Sequence, residues 1–320
     1  MCNQKYIVVI GAVNIDIIGI PNSYKTYVAG DSNPGTILTV PGGVGRNIAA
    51  NIAKLSYPTK LITVFGSDTF TNILKKDLLL RNIDIRYSLT LCDANTSAYV
   101  CVNDENGDAL AAVSDMAIYQ SLKPETMRHR LSVLENADMV IIDANIPAET
   151  IEFITSSVHV PIFCDPVSVN KASRLIPSLS HVFMIKPNIA ETEVLLKRKI
   201  ADTGDVQCAA AELLSMGVKH IFISLGSKGV YFLNHSVRGM LPCYPGIIKN
   251  TNGCGDAFIA AAAIGYAMGY DISMQAKMGL AASCICAESG LSVPDMMSIQ
   301  NILNKVGDEN VDKSISICCG

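Results

Sequence analysis

The stretch Asn250, Thr251, Asn252, Gly253, Cys254, Gly255, Asp256 runs straight into an apolar, Ala-rich segment, Ala257 to Ala263. Small residues feeding a helix start leave successive backbone N–H groups pointing outward, and the helix macrodipole adds to their attraction for an anion. Such a hole suits a phosphoryl group in transfer. Asp256 falls in the first helical turn, placed to accept the proton of an attacking hydroxyl while the amides of Gly253, Cys254 and Gly255 stabilise the developing charge. The competing reading gives Asp256 only the task of complementing the dipole, and the glycines that of permitting close packing.

A second glycine-rich loop, Pro41, Gly42, Gly43, Val44, Gly45, Arg46, Asn47, also opens a helical stretch, but it does not follow a strand in GxGxxG spacing. Backbone at Gly42 and Gly43 is open to a ligand without side-chain hindrance, Asn47 offers an amide, and Asp16 can accept from two vicinal hydroxyls. Together with Asn14 they make a candidate sugar site. Asn and Gly are equally routine turn and cap residues, so this loop alone names no ligand.

The elements that would carry these residues follow from the apolar pattern. Tyr6 to Ile10 is short, β-branched and apolar and breaks at Gly11, which predicts a buried strand delivering Asn14 and Asp16 to a sheet rim. Gly45 to Leu55 has helical spacing, and Leu61 to Phe65 reads as a further strand. Strands are predicted near Met139 to Ile142, Pro161 to Cys164, Val182 to Ile185 and His220 to Ser224, with helices between them. Such continuous apolar strands point to a parallel sheet covered on both faces. Two helices, Gly255 to Met268 and Ile272 to Ser289, close the core. Two polar excursions, about 15–40 and 85–116, interrupt this rhythm and read as one lid, the second containing a turn at Asn103 to Asp108. The domain is expected over 1–306, with a polar tail at 307–320.

Taken in this order, the motifs resemble those of the ribokinase-like, or PfkB, carbohydrate and nucleoside kinases over nearly the whole chain. Gly42 to Asn47 matches the early GGxGxN stretch, and Asn250 to Asp256 the late DTxGxGD stretch. The resemblance implies an α/β, ribokinase-like three-layer sandwich with a mostly parallel central sheet and a small β-sheet lid. It implies ATP as donor, bound by Asn188, Ser224, Gly226 and Gly229. It also implies Mg²⁺, held by Glu191 and Asn188 through water within the Lys186, Pro187, Asn188, Glu191 segment; the competing reading of this pair is a helix-start cap. Cys254 stands where Ala is usual and contributes its amide. Asn250 replaces an Asp that many members associate with a monovalent cation, so K⁺ is an open expectation. Relatives often dimerise through the lid, so a homodimer is expected.

Within that family the sequence is similar to pseudouridine kinases, through Asp31 to Gly35, Pro41 to Asn47, Val113 to Met116 and Asp165 to Ser168. This implies phosphorylation of the 5′-hydroxyl of pseudouridine. Ser32, Thr96 and Met116 would then meet the base, two hydroxyls and a soft apolar face suiting a uracil ring; the competing reading of each is ordinary lid packing. Arg46 stands where ribokinases usually carry a small residue, which weighs against free ribose; its other reading is a surface helix charge. A kinase for another nucleoside or sugar (ribose, inosine) and a catalytically silent nucleoside-binding protein are the alternatives.

Composition excludes other classes. The formal net charge is −4 with no block of like charge, which removes a nucleic-acid footprint. The apolar run Phe258 to Tyr270 is broken by Gly265 and Gly269 and falls short of the roughly 20 residues of a membrane span. The 11 cysteines show no CxxC spacing and the five histidines are scattered, against a zinc site. With no secretory leader, reduced thiols in the cytoplasm are expected. A dinucleotide-binding oxidoreductase is disfavoured because the first strand is not followed by GxGxxG.

Overall fold

A computed structural model of the chain describes residues 5–23, 27–28, 30–103 and 109–307. Residues 308–320, including Cys318 and Cys319, and most of the expected turn at Asn103 to Asp108 lie outside them. In chain order the strands are β1 (Ile7–Ile10), β2 (Asn14–Pro21), β3 (Gly35–Gly42), β4 (Thr59–Ile62), β5 (Val64–Phe65), β6 (Leu89–Thr90), β7 (Ala98–Asn103), β8 (Ala109–Asp115), β9 (Met139–Asp143), β10 (Ile162–Asp165), β11 (Met184–Ile185), β12 (His220–Ser224), β13 (Val230–Leu233) and β14 (Arg238–Leu241).

Eight of them form one sheet in the order β14-β13-β12-β11-β10-β9-β1-β4. It is parallel from β4 to β12; β13 runs antiparallel to β12, and β14 pairs antiparallel with β13, so β13 alone is reversed. The sequence of β1 shows why both faces must be covered. Ile7 and Val9 join one apolar cluster and Val8 and Ile10 the other, all fully buried. Helices Val44–Lys54, Cys254–Ala267 and Ile272–Ser289 supply the first cluster, and Ala148–Ser157 and Thr203–Ser215 the second. Each fully buried Ile or Val contributes roughly 1.5–3 kcal/mol to holding this three-layer sandwich together.

The two polar excursions meet in a separate four-stranded sheet, β3-β2-β7-β8. There β2 pairs antiparallel with β3 and parallel with β7, and β8 closes the far edge. Because β2 leaves the rim just after β1, this small sheet stands at the carboxyl end of the large one. Two expected strands differ from the structure. Leu61 to Phe65 is not one strand: the chain breaks at Thr63, whose N–H goes to Ser88 Oγ, 3.1 Å, so that β5 pairs with β6 outside the large sheet. Val182 and Phe183 precede β11, because Val182 N–H closes a turn on Leu179. No helix among the described residues is long and apolar enough to cross a membrane.

Candidate active site

The rim at the carboxyl ends of the parallel strands gathers charge. β9 ends in Asp143 and β10 in Asp165, paired side by side in register, and Lys186 follows β11. Asp143 is fully buried and accepts from Ala12 N–H, 2.8 Å, and Asn145 N–H, 2.9 Å. Asp165 is held by a strained turn: Val167 has φ +68°, rare for a β-branched residue, and Ser168 N–H closes on the Pro166 carbonyl. Within that turn Val167 N–H donates to Asp165 Oδ1, 2.7 Å, leaving Oδ2 to face Lys186 Nζ at 3.9 Å.

Above this rim starts the helix Cys254–Ala267. Its N-cap, Gly253, has φ +80°, and a Cβ there would lie 2.5 Å from Ser292, so only glycine fits the turn. Among the described residues the N–H groups of Gly253, Gly255 and Asp256 find no acceptor. The Cys254 amide differs: it donates to the Thr251 carbonyl, 3.2 Å. A Cβ built on Gly255 would meet Lys186 Nζ at 3.1 Å, so the ammonium sits beside this helix start. It is 7% exposed and donates no hydrogen bond among the described residues.

Asp256 is buried in the first helical turn. Burial, then the charge of Asp165, push its carboxyl well above the usual carboxylate range, while the Asn47 hydrogen bond and Lys186 oppose the rise. Asn47 Nδ2 donates to Asp256 Oδ2 at 2.9 Å. The glycine loop thus brings Asn47 across from the Val44–Lys54 helix. Asn14 Nδ2 donates to Asp16 Oδ1 on β2, and a Cβ on Gly42 would fall 2.2 Å from Asp16 Oδ2, so the carboxylate lies directly on the Gly42 backbone. Burial raises the Asp16 pKa, offset by Asn14 and by the Arg46 charge. Asn14, Asp16, Gly42, Gly43, Asn47 and Asp256 therefore form one continuous site.

The four residues expected to hold ATP, Asn188, Ser224, Gly226 and Gly229, line one cavity of about 430 Å³ that reaches Lys186, Cys254 and Gly255. Asn188 bridges to Ser224, tying the two segments together. Asn188 and Glu191 form a reciprocal cap: Oδ1 accepts from Glu191 N–H and Glu191 Oε2 from Asn188 N–H, both 2.9 Å. Glu191 is buried and keeps Oε1 unpartnered among the described residues. No group of three or more His, Cys, Asp or Glu among those residues is arranged to hold a metal directly. A hard ion carried on phosphate oxygens and water, with Asn188 and Glu191 behind it, fits this donor set; a protein cage does not.

The base-facing residues are not gathered. Thr96 is 3% exposed, and its N–H donates to Asp68 Oδ2, 2.6 Å. Its hydroxyl accepts from Gly66 N–H and shares a hydrogen bond with Thr71. Thr96 therefore braces the 66–71 loop instead of offering its hydroxyl to a ligand. Ser32 is exposed between β2 and β3, its N–H on Asp31. Met116 is half-buried at the end of β8, where Ser97 Oγ donates to its sulfur. Asn250 is exposed and its Oδ1 accepts from Asn252 N–H, 2.9 Å.

Arg46 is not a surface charge: it is 5% exposed and paired with Asp77. Asp143 is the site residue that no motif singles out, and the motifs assign no role to Asp165 or Lys186. The available signal was an acidic residue closing each of two apolar strands, MVIID and IFCD.

The profile of the pfkB family carbohydrate kinases matches residues 4–296. A pseudouridine kinase of Escherichia coli (strain K12) is 30% identical over 96% of this chain and 98% of its own. A ribokinase of Bacillus subtilis (strain 168) is 26% identical over 84% of this chain and 88% of its own. The structure of Arabidopsis thaliana ribokinase complexed with ribose and ATP superposes with a TM-score of 0.85, 23% identity, 95% of this chain and 99% of that one.

Proposed function

The chain belongs to the pfkB family of carbohydrate kinases, and from that footing we propose that it transfers the γ-phosphoryl group of ATP to the 5′-hydroxyl of pseudouridine, yielding pseudouridine 5′-phosphate and ADP. The observation that carries the kinase chemistry is the placing of Asp256 beside the unpartnered amides at its helix start and within reach of Asn47. Asp256 Oδ2 is held by Asn47, which leaves Oδ1 to receive the hydroxyl proton. The hydroxyl oxygen then attacks the γ-phosphorus as its bond to the β-bridging oxygen breaks, and ADP leaves. Lys186 and the amides around Gly255 receive the charge on the transferring group. Asn188 and Glu191 would hold Mg²⁺ through water, and the ion would supply positive charge against the triphosphate.

Asp16, Asn14 and the Gly42–Gly43 backbone hold the ribose hydroxyls. The small sheet acts as a lid that excludes water, with Ser32 and Met116 toward the base. Pseudouridine as acceptor is supported by the relative of that name at 30% identity and by the Asp31 to Gly35 and Asp165 to Ser168 segments. A second acceptor class, a free pentose, is favoured by the ribokinase relative at 26% identity. The buried Arg46 beside Asn47 weighs against it. The lid sheet exposes Ile37, Val100 and Val113 on one face, which register pairing places together, and this apolar face suits a homodimer. The reaction is a cytoplasmic one in this reading, and K⁺ acceleration would have to come through backbone oxygens near Asn250. Incubation with ATP and pseudouridine, followed by ³¹P NMR and mass spectrometry, tests the reading. A 5′-phosphomonoester supports it, and unchanged pseudouridine with phosphorylated ribose in parallel refutes it.

A further inference from the structure

We propose that Arg46 is a positioning residue for the base: by donating to Asn47 Oδ1 it fixes which end of the Asn47 amide faces Asp256. The inference rests on Asp256 acting as proposed above. A guanidinium carries five donors and no acceptor, so Asn47 has only Oδ1 to offer it. Arg46 Nη1 donates to that oxygen over 3.0 Å. The amide nitrogen is thereby turned to the other side, where it donates to Asp256 Oδ2. A flipped amide would set two oxygens against each other at the carboxylate and waste the guanidinium donor.

The guanidinium itself is fixed. Its Nε and Nη2 both donate to Asp77 Oδ2, 3.0 and 2.7 Å, and Asp77 Oδ1 takes Arg81 Nε, 3.0 Å. Asp77 belongs to the Thr69–Leu80 helix, whose start is capped by Asp68. The chain Asp77, Arg46, Asn47, Asp256 thus runs from a scaffold helix to the reacting carboxylate with every donor direction determined. Its effect is to keep one hydrogen bond on ionised Asp256 and to leave Oδ1, which has no partner among the described residues, as the atom that takes the proton. The charged and titratable groups facing Asp256 are Asp165, Asp143, Lys186 and Cys286; those facing Arg46 are Asp77, Arg81 and Asp16.

Steady-state profiles of kcat against pH for Arg46→Met and Arg46→Lys test this. Arg46→Met is expected to lower kcat roughly tenfold, with KM for ATP within about twofold. Its acid limb moves to higher pH, because the Asn47 amide that stabilises ionised Asp256 is no longer held with its nitrogen toward the carboxylate; Arg46→Lys falls between. A folded Arg46→Met with the acid limb and kcat per folded molecule of the parent overturns the proposal, whatever its melting temperature. If Arg46→Met does not fold, Asp77→Asn keeps the guanidinium and loosens its anchor. A smaller upward shift of the limb supports the proposal, and an unmoved limb overturns it. Should the parent protein phosphorylate no acceptor, the assignment of the base fails separately. ¹³C titration of the Asp256 carboxyl in parent and Arg46→Met then reads the same coupling: a higher variant pKa supports it and an equal one overturns it.

Discussion

Asn47 and Asp256, 209 residues apart in the chain, meet through a hydrogen bond of 2.9 Å, so the loop that should hold the sugar also holds the carboxylate that should activate it. Binding and chemistry share an atom contact. This relationship shapes what each substitution should do.

Asp256→Asn removes the base and leaves shape and hydrogen-bonding reach intact. Turnover should fall by at least the ~10²-fold associated with a lost general base, with acceptor affinity retained by calorimetry. Near-normal turnover would remove Asp256 from its role.

The same substitution should change stability in the opposite direction. Burial and Asp165 raise the folded-state pKa of Asp256 above its value of 3.8 in an unfolded chain. The folded state therefore binds its proton more tightly. Its contribution to stability is full below pH ~4, near the unfolded pKa, and is lost as pH rises through the folded pKa. Asp256→Asn should melt higher than the parent at neutral pH, and the gap should close on acidification. In the parent, kcat should rise with pH through an acid limb lying above the usual carboxylate range.

Asp16→Ala should weaken acceptor binding by about 1.5 to 3 kcal/mol, the scale of a hydrogen bond to a charged group, and leave ATP affinity unchanged. Calorimetric titration of the acceptor checks this. Unchanged acceptor affinity would place the sugar elsewhere.

Lys186→Met deletes the buried ammonium at the mouth of the amide hole. The expected loss in kcat is ~10² to 10³-fold, as for removal of a single charge-stabilising donor. ADP affinity should hold while ATP affinity drops, because in the proposed mechanism only the terminal phosphate would reach Gly255. Equal weakening of both nucleotides would move Lys186 away from the γ-phosphate.

Gly253→Ala forces a side chain into a left-handed turn against Ser292. A destabilisation of about 1–3 kcal/mol from backbone strain, plus the contact, should appear as a lower melting temperature together with lost turnover. An unchanged melt would mean that the turn can reshape.

The parts legible in the sequence are those set by local patterning. Glycines before an apolar run place a helix start at Gly255, one residue past the observed Cys254, and period and length place Ile272–Ser289 at its observed bounds. The illegible parts depend on which strands become neighbours. Asp143 and Asp165 lie 22 residues apart and become a pair only because β9 and β10 align in parallel register. The sequence leaves a surface charge open for Arg46 until the Thr69–Leu80 helix brings Asp77 against it, 31 residues along the chain. Thr96 stays open in sequence between a base-facing hydroxyl and a packing residue, because nothing near it announces Gly66 and Thr71 as partners. The break at Thr63 likewise comes from Ser88, supplied by a distant segment.

The most direct test of the central claim is coupled ADP release with ATP and Mg²⁺ against pseudouridine, uridine, inosine, adenosine, ribose and fructose, each with and without K⁺. The account predicts acceptor-dependent release with pseudouridine turned over at the highest kcat/KM. Preference for ribose or another nucleoside would contradict the acceptor assignment, and no acceptor-dependent release from folded protein would contradict the kinase mechanism itself.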